Sequence, residues 1–223
     1  MLRSDPTVSV ARAFLEHEMY NLPRPLKLWY FGPFFKKKED GGYEQDWQLG
    51  FNVFGSKDLI IDAQIIQIFF SIFSKLNIKG LIIELNSIGD PKCKPYYKKV
   101  LKDYLRSHRS SLCARCRSFL RTNVLEVFRC QEEKCQRTIK GAPQIIDYLC
   151  KKCHNHFKGL LEFLDEIEIP YHLNPFLIRT TDFSDRTVFD IFQKLEGEGE
   201  DKLILVEGGR QDDLIKSLGG REI

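Results

Sequence analysis

A chain of 223 residues can bury a sizeable core as one large domain, or as one domain with an insertion, because single cores rarely outgrow about 250 residues. Its 43% hydrophobic and 29% charged residues exclude a disordered or collagen-like chain. A formal net charge of +3 is too small to point by itself to a nucleic-acid partner.

In chain order, apolar residues at helical spacing (Val10, Phe14, Leu15, Met19) predict a helix over 8–19, stopped by Pro23 and Pro25. Leu26 to Phe35 and Trp47 to Phe54 read as strands, and the charged stretch Lys36 to Gly42 joins them as the tip of a long β-hairpin. Asp58 to Leu76 is expected to be a buried helix. Its apolar run is broken by Asp62, Gln64 and Gln67 and falls short of the roughly 20 residues of a membrane span. The N-terminal Met1 to Arg12 has no apolar leader, so a cytoplasmic location is expected. Gly80 to Asn86 predicts a short strand closed by Ser87-Ile-Gly89, and Pro91 to about His108 a Lys/Tyr-rich helix. Ala142 to Ile167 reads as one long helix or two. Strands are then expected at Pro170–Pro175, Phe176–Arg179, Thr187–Phe192 and Lys202–Val206, with Gly208-Gly209-Arg210 turning into a last helix over 212–218. Hairpin-linked strands without a strand-helix-strand rhythm imply an α+β fold with an antiparallel sheet. The core is expected over 1–90 and 160–223, with 91–159 as an inserted, mainly helical subdomain.

Six of the seven cysteines fall between Cys113 and Cys153, a clustering that in a reducing compartment favours metal over disulfides. Cys113-x-x-Cys116 and Cys150-x-x-Cys153 have the knuckle spacing of a tetrahedral four-thiolate zinc site, and these four are the expected ligands. Cys130-x4-Cys135 is a looser third pair and His154 and His156 adjoin the last, so six cysteines compete for four positions. Cys93 stands alone and carries no assigned role.

The stretch Leu28 to Gly55 closely resembles motif 2 of class II aminoacyl-tRNA synthetases in its histidyl form, in Tyr-x-Gly-Pro-x-Phe (30–35) and in Gln48-x-Gly50 followed by Val53-Phe54-Gly55. Further segments resemble the histidyl-tRNA synthetase family in the same order. They are Leu2–Thr7 with Glu16-His17, Leu81–Asp90, Ala142–Leu149, Leu177–Arg179 through Arg186–Phe189, and Gly208–Arg210 with Asp212. The resemblance implies a class II synthetase-like sheet, and an enzyme that activates histidine with ATP and magnesium and passes it to the 3′ end of the histidine tRNA, as a homodimer in the full-length parent. Asp5 and Thr7 would meet the substrate ammonium, while Gln48, Asn52, Asp182 and Phe183 would line the histidine site. Lys36, Glu44, Arg179 and Arg210 would face ATP. Arg179 and Lys36 would serve catalysis, because a guanidinium stabilises a pentavalent phosphorus without titrating. In the family the insertion contacts the tRNA acceptor arm, which Arg106, Arg109, Arg115, Arg117 and Arg121 suit electrostatically. A solvated basic face fits the same residues.

The chain departs from the family at several of these positions. Lys36 stands in place of an arginine and supplies charge without the fork. Glu44 occupies one position of an arginine pair, Asn52 replaces a glutamate, and Phe183-Ser184 replaces a tyrosine pair. Motif 1 and motif 3 are expected to lie outside these residues, so the chain reads as the middle of a catalytic domain, either part of a longer chain or a shortened paralogue. A non-catalytic regulator or histidine sensor on the same fold is the alternative.

Overall fold

The computed structural model describes residue 3 and residues 6–38, 41–179, 183–194 and 202–221. The chain forms two compact units, residues 1–61 with 212–223, and residues 62–211.

In the first unit, helix α1 (Thr7–Glu16) buries Ala11 and Phe14, and Phe14 stacks on Phe54 at 4.4 Å between ring centroids. The short helix α7 (Leu214–Ser217) packs against α1. Strands β1 (Leu26–Lys37) and β2 (Tyr43–Phe54) pair antiparallel over their whole length. The arms therefore run further than the charged tip suggested. Lys36 and Lys37 continue the ladder because alternation, not polarity, sets a strand. The turn closes through Lys38 N–H to Gly42 O at 2.8 Å, with Gly41 at φ 89°, a left-handed conformation that favours glycine.

Helix α2 (Leu59–Lys75) begins at the boundary between the units and leads into the second. There a four-stranded sheet has the order β4-β3-β5-β6, formed by β3 (Leu81–Ser87), β4 (His172–Leu173), β5 (Asp185–Lys194) and β6 (Lys202–Arg210). Pairings β3–β5 and β5–β6 are antiparallel, as expected, whereas the two-residue β4 runs parallel to β3. Between β3 and β4 lie α3 (Cys93–Ser107), α4 (Ala114–Phe119), α5 (Glu133–Lys140) and α6 (Lys151–Glu166). Tyr97, Leu101 and Leu105 line the buried side of α3 at helical spacing, each removing apolar surface worth roughly 1.5–3 kcal/mol from water. Their cluster also includes Leu112, Ile139 and Ile145, and it continues into Ile88, Leu177, Ile178 and Val188. The cysteine-rich segment thus shares one core with the sheet.

Two expectations are corrected, and the choice between one helix and two over 142–167 is decided. Residues 142–167 hold a 3-10 turn (Ile145–Tyr148) and then α6; Cys150, extended at ψ 159°, separates them. Phe176–Arg179 is a loop and not a strand, because the Asn86 side-chain amide donates to Pro175 O at 3.2 Å and Leu177 O at 3.1 Å, occupying the carbonyls a ladder would use. Gly208–Arg210 belongs to β6 and is not a turn. Gly208 lies opposite Phe189, and a Cβ there would sit 2.2 Å from the Phe189 ring. The glycine makes room for a cross-strand aromatic inside the sheet.

Candidate functional site

Within the first unit, strand alternation and register assemble one face of the ribbon. Lys36 lies opposite Glu44, Gly32 opposite Gln48, and Leu28 opposite Asn52. Side chains two apart share a face, so the expected residues Lys36, Glu44, Gln48 and Asn52 are brought together, with Asp46 among them. Gly32 offers no side chain across from Gln48, and the Arg3 guanidinium comes within 4.0 Å of where a Cβ at Gly32 would lie. Gly50 carries the Tyr30 ring, and a Cβ there would meet it at 2.2 Å. Lys36 Nζ pairs with Asp46 Oδ2 at 3.4 Å, both groups being exposed. The opposite face presents Trp29, Phe31 and Trp47, all exposed, with Phe31 and Trp47 in ring contact at 5.1 Å. Thr7 opens α1 in the same unit. Asp5 lies outside the described residues.

Within the second unit, Arg179 follows the loop that Asn86 holds. A second asparagine anchors this loop, Asn174 donating to Glu84 Oε2 at 2.7 Å while its N–H donates to Leu85 O at 2.9 Å. The Arg179 guanidinium donates to Phe189 O at 3.2 Å and pairs with Asp190. Glu84, Asp190 and Glu207 lie side by side across β3, β5 and β6, forming a row of carboxylates on one sheet face. Lys202 Nζ meets Glu84 at 2.9 Å. Burial pushes the Asp190 carboxyl above its ordinary value, outweighing the Arg179 guanidinium that pulls it down. Phe183 is half-buried, next to Ser184, whose carbonyl accepts from Lys94 Nζ. Asp182 lies outside the described residues.

Arg210 is buried and bonded to Asp62 Oδ1 at 2.7 Å. Asp62 Oδ2 in turn accepts from Thr187 Oγ1 at 2.6 Å, with His156 Nε2 3.6 Å away. Arg210 thus ties β6 to α2 through a buried carboxylate. Sequence reasoning missed Asp62, Asn86 and Asp190 as positioning groups. Asp62 did leave a signal, a lone carboxylate in an apolar helix that needs a buried cation.

The expected ligand quartet Cys113, Cys116, Cys150 and Cys153 does not form one cluster. Cys113 and Cys116 converge with Cys130 and Cys135, while Cys150 and Cys153 converge with Cys93 and Asp90. The physical cause is that each knuckle pair opens its own helix, α4 or α6, and meets whichever sulfur the shared core brings to it. The Cys113 thiol is lowered to about 7, chiefly by the Cys116 N–H beside it. Burial raises those of Cys93, Cys116, Cys135 and Cys153.

A family model for histidyl-tRNA synthetase matches residues 1–92. The histidine--tRNA ligase of Halothermothrix orenii is 38% identical over 225 residues, covering 100% of this chain and 53% of the relative. Apo histidyl-tRNA synthetase of S. aureus superposes with a TM-score of 0.79 at 27% identity, covering 99% of this chain and 52% of that one. A protein of Bacillus halodurans described as an ATP phosphoribosyltransferase regulatory subunit/histidyl-tRNA synthetase shares the fold, with a TM-score of 0.64 at 18% identity over 97% of this chain and 59% of that one. The α+β fold with its antiparallel sheet is thus that of the histidyl-tRNA synthetases, to which this chain is similar along its whole length while spanning about half of theirs.

Proposed function

We propose that this chain carries part of an ATP-dependent histidine--tRNA ligase, the part that binds histidine and ATP. The observation that carries the reading is the single ribbon face on which Lys36, Gln48 and Asn52 fall in register, in a chain similar to histidine--tRNA ligases throughout. In this reading the histidine carboxylate attacks the α-phosphorus of magnesium-bound ATP, pyrophosphate leaves, and the histidyl group then passes from the adenylate to the 3′ end of the histidine tRNA. Arg179 and Lys36 neutralise the charge that gathers on the phosphate oxygens, a role worth about 10²- to 10³-fold in rate where one such donor is removed. Gln48, Asn52, Phe183, Thr7, Asp5 and Asp182 hold histidine and Glu44 flanks the nucleotide, whereas Arg210, expected beside it, is buried on Asp62 and holds β6 against α2. Residues 91–159 form an inserted subdomain whose arginines meet tRNA, in a cytoplasmic homodimer. Histidine-dependent exchange of pyrophosphate into ATP tests the reading, with its loss in Arg179→Ala as the control. No exchange by the full-length parent protein at saturating histidine and ATP would overturn it.

A second reading, a histidine-sensing regulator without ligase activity, is favoured by one specific observation. Lys36 is flanked by Glu44 across the ladder and paired to Asp46, which opposes phosphate at the position where a ligase gathers it. Calorimetric binding of histidine without exchange supports this reading against the first.

A further inference from the structure

The two cysteine clusters repeat one local design. In the first, Cys113-Ala-Arg-Cys116 opens α4, and the Cys113 sulfur accepts from Cys116 N at 3.3 Å. The N–H of Cys113 donates to the sulfur of Cys135 at 3.1 Å. In the second, Cys150-Lys-Lys-Cys153 opens α6, and the N–H of Cys150 donates to the sulfur of Cys93 at 3.1 Å. The same crossing bond, from the first cysteine of a knuckle to a sulfur of the facing pair, recurs at the same length. The facing pair of the second cluster is Asp90-Pro-Lys-Cys93, a knuckle with a carboxylate in place of its first thiol. Asp90 Oδ1 accepts from Lys92 N at 2.9 Å and Cys93 N at 3.1 Å. That fixes the carboxylate and leaves Oδ2 toward the cluster, 4.0 Å from the Cys150 sulfur.

Each cluster presents four ligand atoms all within 4.8 Å of one another. Around a tetrahedral zinc, with bonds of about 2.3 Å to sulfur and 2.0 Å to oxygen, the ligand-to-ligand edges are about 3.8 Å between sulfurs and about 3.5 Å between sulfur and oxygen. The Cys113 and Cys130 sulfurs, 3.9 Å apart, sit at that edge length and far beyond the roughly 2.05 Å of a disulfide. Buried cysteines pack as small hydrophobes, but that alone gives four sulfurs, two of them only half-buried, no reason to converge on one another. A shared soft cation gives them one.

We infer that the chain holds two structural zinc ions, one on Cys113, Cys116, Cys130 and Cys135, the other on Cys93, Cys150, Cys153 and Oδ2 of Asp90. The second ion does what the first cannot. Asp90 and Cys93 lie where the chain leaves β3 and Cys150 and Cys153 where it enters α6, so the metal clamps the two ends of the intervening segment, 57 residues apart at Cys93 and Cys150. A cross-link that closes so long a loop restricts the unfolded chain most. The inference is independent of any activity on histidine.

The test is zinc content of the full chain purified under reducing conditions and reconstituted with zinc alone, read together with zinc X-ray absorption. About two zinc ions per chain are expected, with a sulfur shell near 2.3 Å averaging about three and a half sulfurs per ion and the remainder oxygen near 2.0 Å. Cys116→Ser and Cys93→Ser each keep one ion, and the double variant keeps none. Asp90→Asn keeps the oxygen that accepts from Lys92 and Cys93 but loses the ligand charge. It should fold, and lose one of its two ions to a chelator at least about tenfold faster. That split separates a ligand from a helix cap, which the amide preserves. If the Cys93 variant fails to fold, the absorption of the unaltered protein still decides. A single ion with four sulfurs overturns the second site, and a zinc-free protein with mapped disulfides overturns both.

Discussion

Asp62→Asn should be among the most damaging single substitutions outside the cysteine clusters. The Asp62 and Arg210 side chains are 5% and 7% exposed, so each has lost its hydration, and the carboxylate returns that cost through Arg210 at 2.7 Å and Thr187 at 2.6 Å. Removing its charge takes from the Arg210 guanidinium its carboxylate partner in the interior, a change that costs about 3–5 kcal/mol. At about 2–4 °C per kcal/mol for a chain of this size, the melting temperature falls by about 6–20 °C. The double variant Asp62→Leu/Arg210→Met removes both charges and fills the space, and it should recover most of that loss, because two apolar groups do not pay desolvation. The assay is urea unfolding followed by far-ultraviolet circular dichroism for the parent, both single variants and the double. A loss under about 1 kcal/mol in Asp62→Asn, or a double variant as unstable as the sum of the singles, would refute the argument that the pair is buried and mutually dependent.

Gly208→Ala places a methyl against the Phe189 ring and should cost about 1–3 kcal/mol. Phe189→Leu in the same chain relieves part of that loss, a coupling that a double-mutant cycle of unfolding free energies reads directly. Asn86→Ala frees the Pro175 and Leu177 carbonyls, at about 1–3 kcal/mol for buried groups left unpaired. Since that loop carries Arg179, proteolysis there quickens, and any pyrophosphate exchange falls with it. Asp190 has its carboxyl raised above the ordinary 3.8 by burial, so the folded chain retains a proton that the unfolded chain has released. Stability is therefore greatest below the ordinary value and declines as pH rises through the window above it. Urea midpoints taken at rising pH, starting from the ordinary carboxylate value, should show this decline in the parent and a flatter course in Asp190→Asn. Glu44→Gln removes the charge that lies across the ladder from Lys36, and an exposed charge close to a phosphate in water is worth on the order of 1 kcal/mol. The KM for ATP should fall about fivefold at low salt and converge with the parent at high salt; an effect that persists in salt would argue for a contact and against this field.

The hairpin, α1, α2, β3 and the final strands were legible because each follows a local rule, alternation for the ribbon or helical spacing for Val10 and Phe14. What escaped depends on pairs far apart in sequence. Gly208-Gly209 has the composition of a turn, and only the Phe189 ring across the ladder makes it a strand interior. Phe176–Arg179 has the composition of a strand, and only Asn86, some ninety residues earlier, makes it a loop. Among the site residues, register gathered Lys36, Gln48 and Asn52 on one face as their even spacing allowed. The cysteines were legible as ligand types but not as sets. Spacing identifies a knuckle and says nothing about which knuckle it faces, and the second set contains an aspartate whose role only its proximity to Cys93 and Cys150 reveals.

In the proposed reading the ribbon holds phosphate weakly, and its geometry gives the reason. The Lys36–Asp46 pair is exposed on both sides at 3.4 Å, and such pairs contribute about 0–1 kcal/mol. A phosphate that accepts from Lys36 displaces Asp46 at little cost, since water re-solvates the carboxylate. Glu44 acts only through a screened field. Arg179 is the more constrained cation: its partner Asp190 is largely buried and already disposed by burial to take up a proton. A substrate oxyanion that draws the guanidinium away leaves Asp190 free to become neutral, so the exchange strands no buried charge. In that reading the ribbon residues tune affinity, while Arg179, backed by a carboxylate that can take up a proton, supplies the charge stabilisation.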